Sequence, residues 1–324
     1  EVTRSESRVR PRPFDADAAD SVLLLDSLLE RTHQLGQNGR YHVVAYSGGV
    51  DSSLVAALVY RTFGTKDDSN YVKAVLGLSP AVPREQIEMA ENVANVIGIP
   101  LEMVNTQEGQ DPMYIENSGQ ACLACKTHLY TALESVTKHA LSEMRNGETT
   151  KKDGSLLDYV QLALYNGTNG DDTKDSTRLG LIAAANYQVK SPLEQISKDQ
   201  VRIAAKYLGL PNWNAAASPC LRSRLAWGVH ATADRLDQVS NAERFVREKV
   251  MIPLMIQQDE DPTTLNLRVR HLTKSRAMIE VDSKWVEVAR EKLSEVDWEE
   301  YFVEQLGFSS VDIRSFKTGA VAKH

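Results

Sequence analysis

The apolar run Tyr41-His-Val-Val-Ala-Tyr46 reads as a buried strand, and Ser47-Gly48-Gly49-Val50-Asp51-Ser52-Ser53 follows it without a break. A helix is expected to begin near Ser52, so the heptad is the turn between a strand and a helix. Two glycines at such a junction let the backbone approach an anion closely. Exposed N–H groups, the serine hydroxyls and the helix dipole all favour negative charge there. A plain strand-to-helix turn would explain the glycines but not the whole heptad. The chain contains neither G-x-x-x-x-G-K-[ST] nor G-x-G-x-x-G, so the ordinary P-loop and dinucleotide-binding readings lose their main support.

Strand and helix signals alternate around this junction. A helix from Asp17 to Gln34 comes before it. After it come a strand Tyr71 to Leu78, a helix Arg84 to Ile97, a strand Leu101 to Asn105 and a helix Lys126 to Met144. A strand Val160 to Leu164 and helices Thr177 to Ala185 and Lys198 to Leu208 continue the series. Such alternation predicts an α/β fold, a parallel sheet covered on both faces, with ligands at the carboxyl ends of its strands. The Gly-, Lys- and Thr-rich stretch Asn146 to Ser155 is read as a solvated loop. Beyond Trp227-Gly228 the pattern changes to a helix Ala233 to Lys249, strands Leu265 to Arg270 and Ala277 to Val281, and a last strand near Val311 to Ile313. The expected organisation is a leader and helix (1–40), an α/β domain (41–228) and a smaller α+β domain (229–324) for substrate binding or oligomerisation.

With 44 acidic against 37 basic residues in 324, the formal charge is −7. An acidic chain without a Lys/Arg-rich module argues against nucleic acid as partner. No apolar run reaches the roughly 18 residues that would suggest a membrane span. Three cysteines, Cys122, Cys125 and Cys220, are too few and odd in number for a disulfide scaffold, which favours a reducing compartment such as the cytoplasm. Arg4, Arg8, Arg10 and Arg12 among Ser and Pro have the composition of a transit-peptide remnant, which would make the address an organelle, but Glu1 and Glu6 weigh against it.

A second cluster, Gly167-Thr168-Asn169-Gly170-Asp171-Asp172, follows a predicted strand and is placed at the same sheet edge. Asp171 and Asp172 suit a hard cation such as magnesium on ATP phosphates, with an Asn-Gly turn and solvated acids as the plain alternative. Cys122 and Cys125 form a C-x-x-C, open to reading as a redox pair, half of a zinc site or buried thiols. With His128 and Cys220 a Cys₃His zinc site is arithmetically possible, and three thiolates alone suit a [4Fe–4S] cluster with one open iron. Arg268 and Arg270 alternate on a strand and form a fork for phosphate, or else a solvated strand face. Arg222 and Arg224 beside Cys220 are a second pair expected to face an anion.

The heptad SGGVDSS resembles the PP-motif of ATP pyrophosphatases, whose fold is the adenine nucleotide α-hydrolase type. The resemblance implies cleavage of ATP to AMP and pyrophosphate. It also implies an ATP site drawn from Ser47, Gly48, Gly49, Asp51, Ser52, Ser53, Thr168 and Asp172, with Mg²⁺ near Asp171 and Asp172. The order of motifs, SGGVDSS, CLACKTHLY, GTNGDD, RLGLIAA, VKSPL, LGLP-x-W, SPCLRSR, LRVRHL and AMIEV, is similar to the LarE family of ATP-dependent pyridinium-3,5-biscarboxylic acid mononucleotide sulfurtransferases. That likeness implies an enzyme that adenylates a carboxylate of this small molecule and converts it to a thiocarboxylate for nickel-pincer nucleotide synthesis. Asp51 and Cys220 would be catalytic. Cys122, Cys125 and Cys220 would hold a [4Fe–4S] cluster fed by a sulfide donor, or Cys220 would be the sacrificial sulfur donor instead. Arg222, Arg224, Arg268, Arg270 and Glu280 would bind the substrate, with Glu243 at a further acidic position of the family, and a homo-oligomer is expected.

Two enzyme classes compete with this reading. A tRNA thiolation enzyme would share the ATP motif and the cysteines but needs a basic surface. A GMP or NAD synthetase needs ammonia delivery and has no use for three cysteines. A nucleotide sensor without turnover is the non-enzymatic alternative.

Overall fold

The computed structural model describes residues 16–64, 71–145, 162–174 and 179–317. Helix α1 (Ala16–Gly36) leads into strand β1 (Tyr41–Tyr46), whose middle residues Val43 and Val44 are fully buried. Helix α2 (Val50–Phe63) follows, starting two residues earlier than its sequence suggests, so that Asp51 falls in its first turn. Strand β2 (Tyr71–Leu78), α3 (Arg84–Ile97) and β3 (Leu101–Asn105) come next, with the limits their periodicity predicts. A single turn, α4 (Pro112–Ile115), precedes the long α5 (Ala121–Arg145). Because α5 begins at Ala121 and not near Lys126, Cys122 and Cys125 lie on its first turns, three residues apart and on one face. Strand β4 (Leu162–Tyr165), the short α6 (Gly170–Thr173), α7 (Leu179–Asn186) and α8 (Lys198–Tyr207) complete this half. The loop expected at Asn146 to Ser155 lies outside the described residues.

The four strands pair in parallel in the order β3-β2-β1-β4. The chain moves outward from β1 through β2 to β3, then returns to the other side of β1. The carboxyl ends of β1 and β4 therefore flank the point where strand order reverses, the usual ligand crevice of such sheets. One face packs against α2, in which Leu54, Val55, Ala56, Leu58 and Val59 are fully buried together with Leu25 and Leu28 of α1. A separate apolar layer involving Tyr130, Leu133 and Ala183 covers the other face with α5 and α7. Burial on both sides explains why the strands read as continuous apolar runs.

The second half contains α9 (Ala233–Val246), which passes through a π-helical turn into α10 (Ile252–Gln257), then β5 (Arg268–Leu272), β6 (Arg276–Val281), α11 (Val286–Glu295) and β7 (Ser310–Ser315). Strands β5 and β6 are antiparallel, whereas β6 and β7 are parallel. Their core, built on Val269, Ile279, Trp285 and Phe302, is distinct from that of the first sheet. A third apolar group, with Tyr114, Ala121, Leu221, Leu225 and Leu236, joins the two halves.

His42 of β1 is fully buried, stacked on Phe63 at 3.8 Å between ring centroids, with Nδ1 2.9 Å from the Tyr165 hydroxyl. Burial lowers its pKa from 6.5 to about 4. Between these values the unfolded chain binds a proton that the folded chain refuses, so acidification favours unfolding. His42 should therefore titrate near pH 4 by NMR. In urea unfolding, wild-type stability should fall between pH 6.5 and 4 relative to His42→Gln, and a stability difference that stays constant over that window would contradict the assignment.

Candidate functional site

A cavity of about 690 Å³ opens at the carboxyl edge of the parallel sheet. At one end it is lined by Ser47, Gly49, Asp51 and Ser52 from the β1–α2 junction and by Gly167, Thr168 and Asp172 from the segment after β4. Gly48 has φ of +73°, and a Cβ there would lie 2.7 Å from Ala90, so conformation and space both require glycine. Gly167 passes so close to the start of α2 that a Cβ would lie 2.7 Å from the Ser52 nitrogen. No side chain caps the first turn of α2. Its leading N–H groups are thus oriented to receive an anion.

The Ser52 hydroxyl donates to the Gly49 carbonyl at 2.9 Å and lies 3.1 Å from the Ser47 hydroxyl. Ser53 is fully buried, outside the cavity lining, and accepts from Asn212 Nδ2 at 2.9 Å. The same Nδ2 donates to the Gly48 carbonyl at 2.8 Å, tying the glycine turn to α2. Asp51 accepts from Asn169 Nδ2 at 2.9 Å and is ion-paired with Lys198. The two aspartates of the second cluster part company. Asp172 lines the cavity, where its Oδ2 accepts from the Asn169 nitrogen. Asp171 is outside the lining: its oxygens accept from Lys174 Nζ and the Lys198 nitrogen, and these bonds hold its pKa below the ordinary value. The expected pair of magnesium-facing acids is thus reduced to Asp172, with Asp51 across the junction.

At the other end the cavity is lined by Cys122, Cys125, Cys220, Arg222, Lys126 and Glu108. Cys122 is exposed, and Cys125 and Cys220 are half-buried. Burial, together with the neighbouring Cys220, pushes the Cys125 thiol up to about 12. Arg222 donates from Nη2 to Cys122 Sγ at 3.0 Å and from Nη1 to Asn117 Oδ1 at 2.7 Å. Burial opposes its charge, but Cys220, Cys122 and Tyr114 together raise its pKa above the ordinary value. His128 does not join the thiols. It is absent from the cavity lining, and its Nε2 lies 3.0 Å from Asp111 Oδ2. Among the described residues no three His, Cys, Asp or Glu side chains are arranged to hold a single metal ion.

The remaining arginines are not where their alternation suggested. Arg224 is 1% exposed; its Nε and Nη2 donate to the two oxygens of Glu243, at 2.7 and 3.2 Å, and its Nη1 donates to the carbonyls of Pro219 and Cys220. Arg270 pairs with Glu280 at 2.7 Å and donates to the Ser223 carbonyl at 3.0 Å, while Glu280 also holds Arg314. Arg268 donates to the carbonyls of Leu267 and Ala217. No carboxylate pairs with it among the described residues, and burial, reinforced by the charge of Arg224, lowers its pKa to about 10. Instead of forming an outward phosphate fork, Arg224, Arg268 and Arg270 stand behind the cavity wall and clamp the backbone of residues 217–223. Only Arg222 of the predicted substrate set lines the cavity. Both faces of β5 are buried, which two alternating arginines on a polar-looking strand did not reveal.

Sequence reasoning passed over Lys198, Asn212, Gln86 and Glu108. Asn212 lies in LGLP-x-W, and Gln86 Nε2 holds the Ser47 carbonyl at 2.8 Å.

Residues 24–123 match the sequence profile of the NAD synthase family. The chain is 37% identical over 226 residues to an uncharacterised Synechocystis protein, slr1717, covering 69% of this chain and 75% of that one. It is 27% identical over 206 residues to a pyridinium-3,5-bisthiocarboxylic acid mononucleotide synthase of Lactiplantibacillus plantarum, covering 63% and 66% of the two chains. A glutamine-hydrolysing GMP synthase of Corynebacterium jeikeium is 27% identical over 241 residues; the match takes in 70% of this chain but 43% of that enzyme, under half its length.

Removing one partner of a buried ion pair strands the other charge. Glu243→Gln should therefore lower unfolding free energy by about 3–5 kcal/mol in urea denaturation, and a loss below about 1 kcal/mol would mean that Arg224 is compensated elsewhere.

Proposed function

The chain belongs to the family of the Synechocystis protein slr1717, and we propose that it is a PP-loop enzyme that adenylates a small carboxylic acid with ATP and replaces a carboxylate oxygen with sulfur. The observation that carries this reading is a single cavity with the β1–α2 anion site at one end and three cysteines at the other. A GMP synthase or NAD synthase has the first end in common with it, and the cysteine end distinguishes this chain. The substrate we infer is pyridinium-3,5-biscarboxylic acid mononucleotide, supported by the likeness to the Lactiplantibacillus enzyme and by the order of motifs. We assign ATP binding and catalysis to residues 41–228 and a supporting role to 229–324.

ATP phosphates would lie against the N–H groups of Gly49 and the first turn of α2, with Ser47, Ser52 and Thr168 as hydroxyl donors. Asp172 and Asp51 would hold Mg²⁺, which when bound would neutralise phosphate charge, and Lys198 orients Asp51. The substrate carboxylate attacks the α-phosphorus, forming an O–P bond as the bond to the bridging oxygen breaks and pyrophosphate leaves. Sulfur then adds to the acyl carbon from the cysteine side, and AMP departs with the original carboxylate oxygen. Arg222 is placed to meet negative charge on both the sulfur and the acyl group.

The donor set fits a [4Fe–4S] cluster: three thiols line the same cavity, and the half-buried Cys125 thiol, its pKa raised by burial, is costly to ionise without a cation beside it. Cys122, Cys125 and Cys220 would hold it, and when bound it would supply an iron site for exchangeable sulfide. Arg224 and Arg268 serve this arrangement by fixing the backbone that presents Cys220.

Asp51→Asn should lower substrate-dependent pyrophosphate release at least about 100-fold while leaving the thermal unfolding curve near wild type. Cys220→Ala should keep pyrophosphate release and lose thiocarboxylate formation, measured by mass spectrometry of the product. Pyrophosphate release that survives in folded Asp51→Asn would defeat the ATP assignment. Iron-free wild-type protein that loses the mass of H₂S at Cys220 in one turnover would replace the cluster by a sacrificial cysteine.

A further inference from the structure

Glu108 opens the 3₁₀ turn Glu108–Gln110 that follows β3, and it is 3% exposed. It lines the shared cavity at the cysteine end, and its Oε2 is buried without a hydrogen-bond partner. Among the described residues no lysine, arginine or histidine lies within ion-pair distance of it. Of the basic groups lining this end, Arg222 is committed elsewhere, and Lys126 lies beyond ion-pair distance of Glu108. Arg222 is bonded to Asn117 and Cys122, and the charge of Lys126 acts on Cys125. Around Glu108 are Cys125 and Tyr114, both of which feel its charge, and the Tyr114 hydroxyl is itself buried and unpartnered.

A buried carboxylate with an empty lone pair and no counter-ion is costly, and such a group at a cavity wall marks a place where a ligand can complete it. A hydroxyl from the ligand would fill the lone pair and leave the charge. A cationic aromatic ring supplies the charge, and its polarised C–H edge is the donor it offers to the oxygen. The inferred acceptor carries a permanent positive charge on its aromatic ring, flanked by carboxylates. One of those carboxylates must lie between the phosphate end and the thiol end for adenylation and sulfur transfer to follow each other. Its ring then falls at the cysteine end, where Glu108 is.

We propose that Glu108 is the counter-charge for the cationic ring of the acceptor, a binding residue that selects a positively charged aromatic carboxylate over a neutral one of the same shape. This deepens the sulfurtransferase reading and rests on it for the identity of the ring. Arg224, Arg268 and Arg270 have no part in it, since none of them lines the cavity.

The test compares two probes, pyridinium-3,5-biscarboxylic acid mononucleotide and its carbon-linked analogue with a neutral benzene ring. Each is titrated calorimetrically into wild-type protein and Glu108→Gln, and pyrophosphate release is followed with both. Wild type should bind the cationic probe at least about tenfold more tightly than the neutral one. Glu108→Gln should bring that ratio close to one through weaker binding of the cation, with the KM for ATP unchanged. Equal binding of both probes by wild type, or a full preference retained in Glu108→Gln, would overturn the proposal. Should Glu108→Gln fail to fold, Glu108→Ala is titrated in its place with the same expected ratio. Cationic preference that is lost in the Glu108 variant, without pyrophosphate release from wild type, would uphold Glu108 and defeat the sulfurtransferase reading. Pyrophosphate release with indifference to ring charge would do the reverse, and binding of neither probe would overturn both.

Discussion

The start of α2 is the constraint on which the site depends. A parallel sheet brings the ends of β1 and β4 side by side, and Gly167 lets the second chain segment run almost in contact with the Ser52 nitrogen. Once these backbones are that close, the acids and amides they carry are forced together. Asn169 and Lys198 hold Asp51, and Asn212 ties the Gly48 carbonyl to Ser53. Uncapped N–H groups at this helix end call for an acceptor, which in the proposed reading is a phosphate.

The thiol end is built on a different principle. Residues 217–223 form no regular strand or α-helix with which to bond their carbonyls, and buried arginines take up that role: Arg268 and Arg270 of the second half, and Arg224, which Glu243 of that half holds. Buried ion pairs such as Arg224–Glu243 and Arg270–Glu280 contribute little net stability compared with apolar replacements, because desolvation offsets most of the attraction. Their value lies in directionality: each guanidinium binds a fixed carboxylate on one side and a fixed carbonyl on the other. Cys220 is therefore positioned from behind by the smaller half of the molecule.

The fold was legible because burial on both faces writes continuous apolar runs into strands, and β1, β2, α3 and β3 end where their periodicity ends. The phosphate end was legible because φ of +73° at Gly48 and the close approach at Gly167 leave glycine as the residue that fits. The cysteine end was legible in its residues but not in its surroundings. Nothing in the alternation of Arg268 and Arg270 says that both faces of β5 are covered, nor does Arg-x-Arg after Cys220 show that one arginine faces the cavity and the other is buried on Glu243. Glu108 carried no signal in the sequence, because an unpaired buried acid is recognised by what is missing around it. Helix α5 began early because Ala121 and Ala124 bury against Leu221 and Leu225, a tertiary contact that local spacing does not contain.

The central claim is that a substrate carboxylate oxygen attacks the α-phosphorus of ATP in this cavity before sulfur replaces it. The direct measurement uses pyridinium-3,5-biscarboxylic acid mononucleotide labelled with ¹⁸O in its carboxylates, with ATP and a sulfide source, followed by mass spectrometry of every phosphorus-containing product. The account predicts that AMP carries one ¹⁸O for each thiocarboxylate formed and that pyrophosphate carries none. Label in inorganic phosphate with formation of ADP, or unlabelled AMP alongside thiocarboxylate, would contradict it.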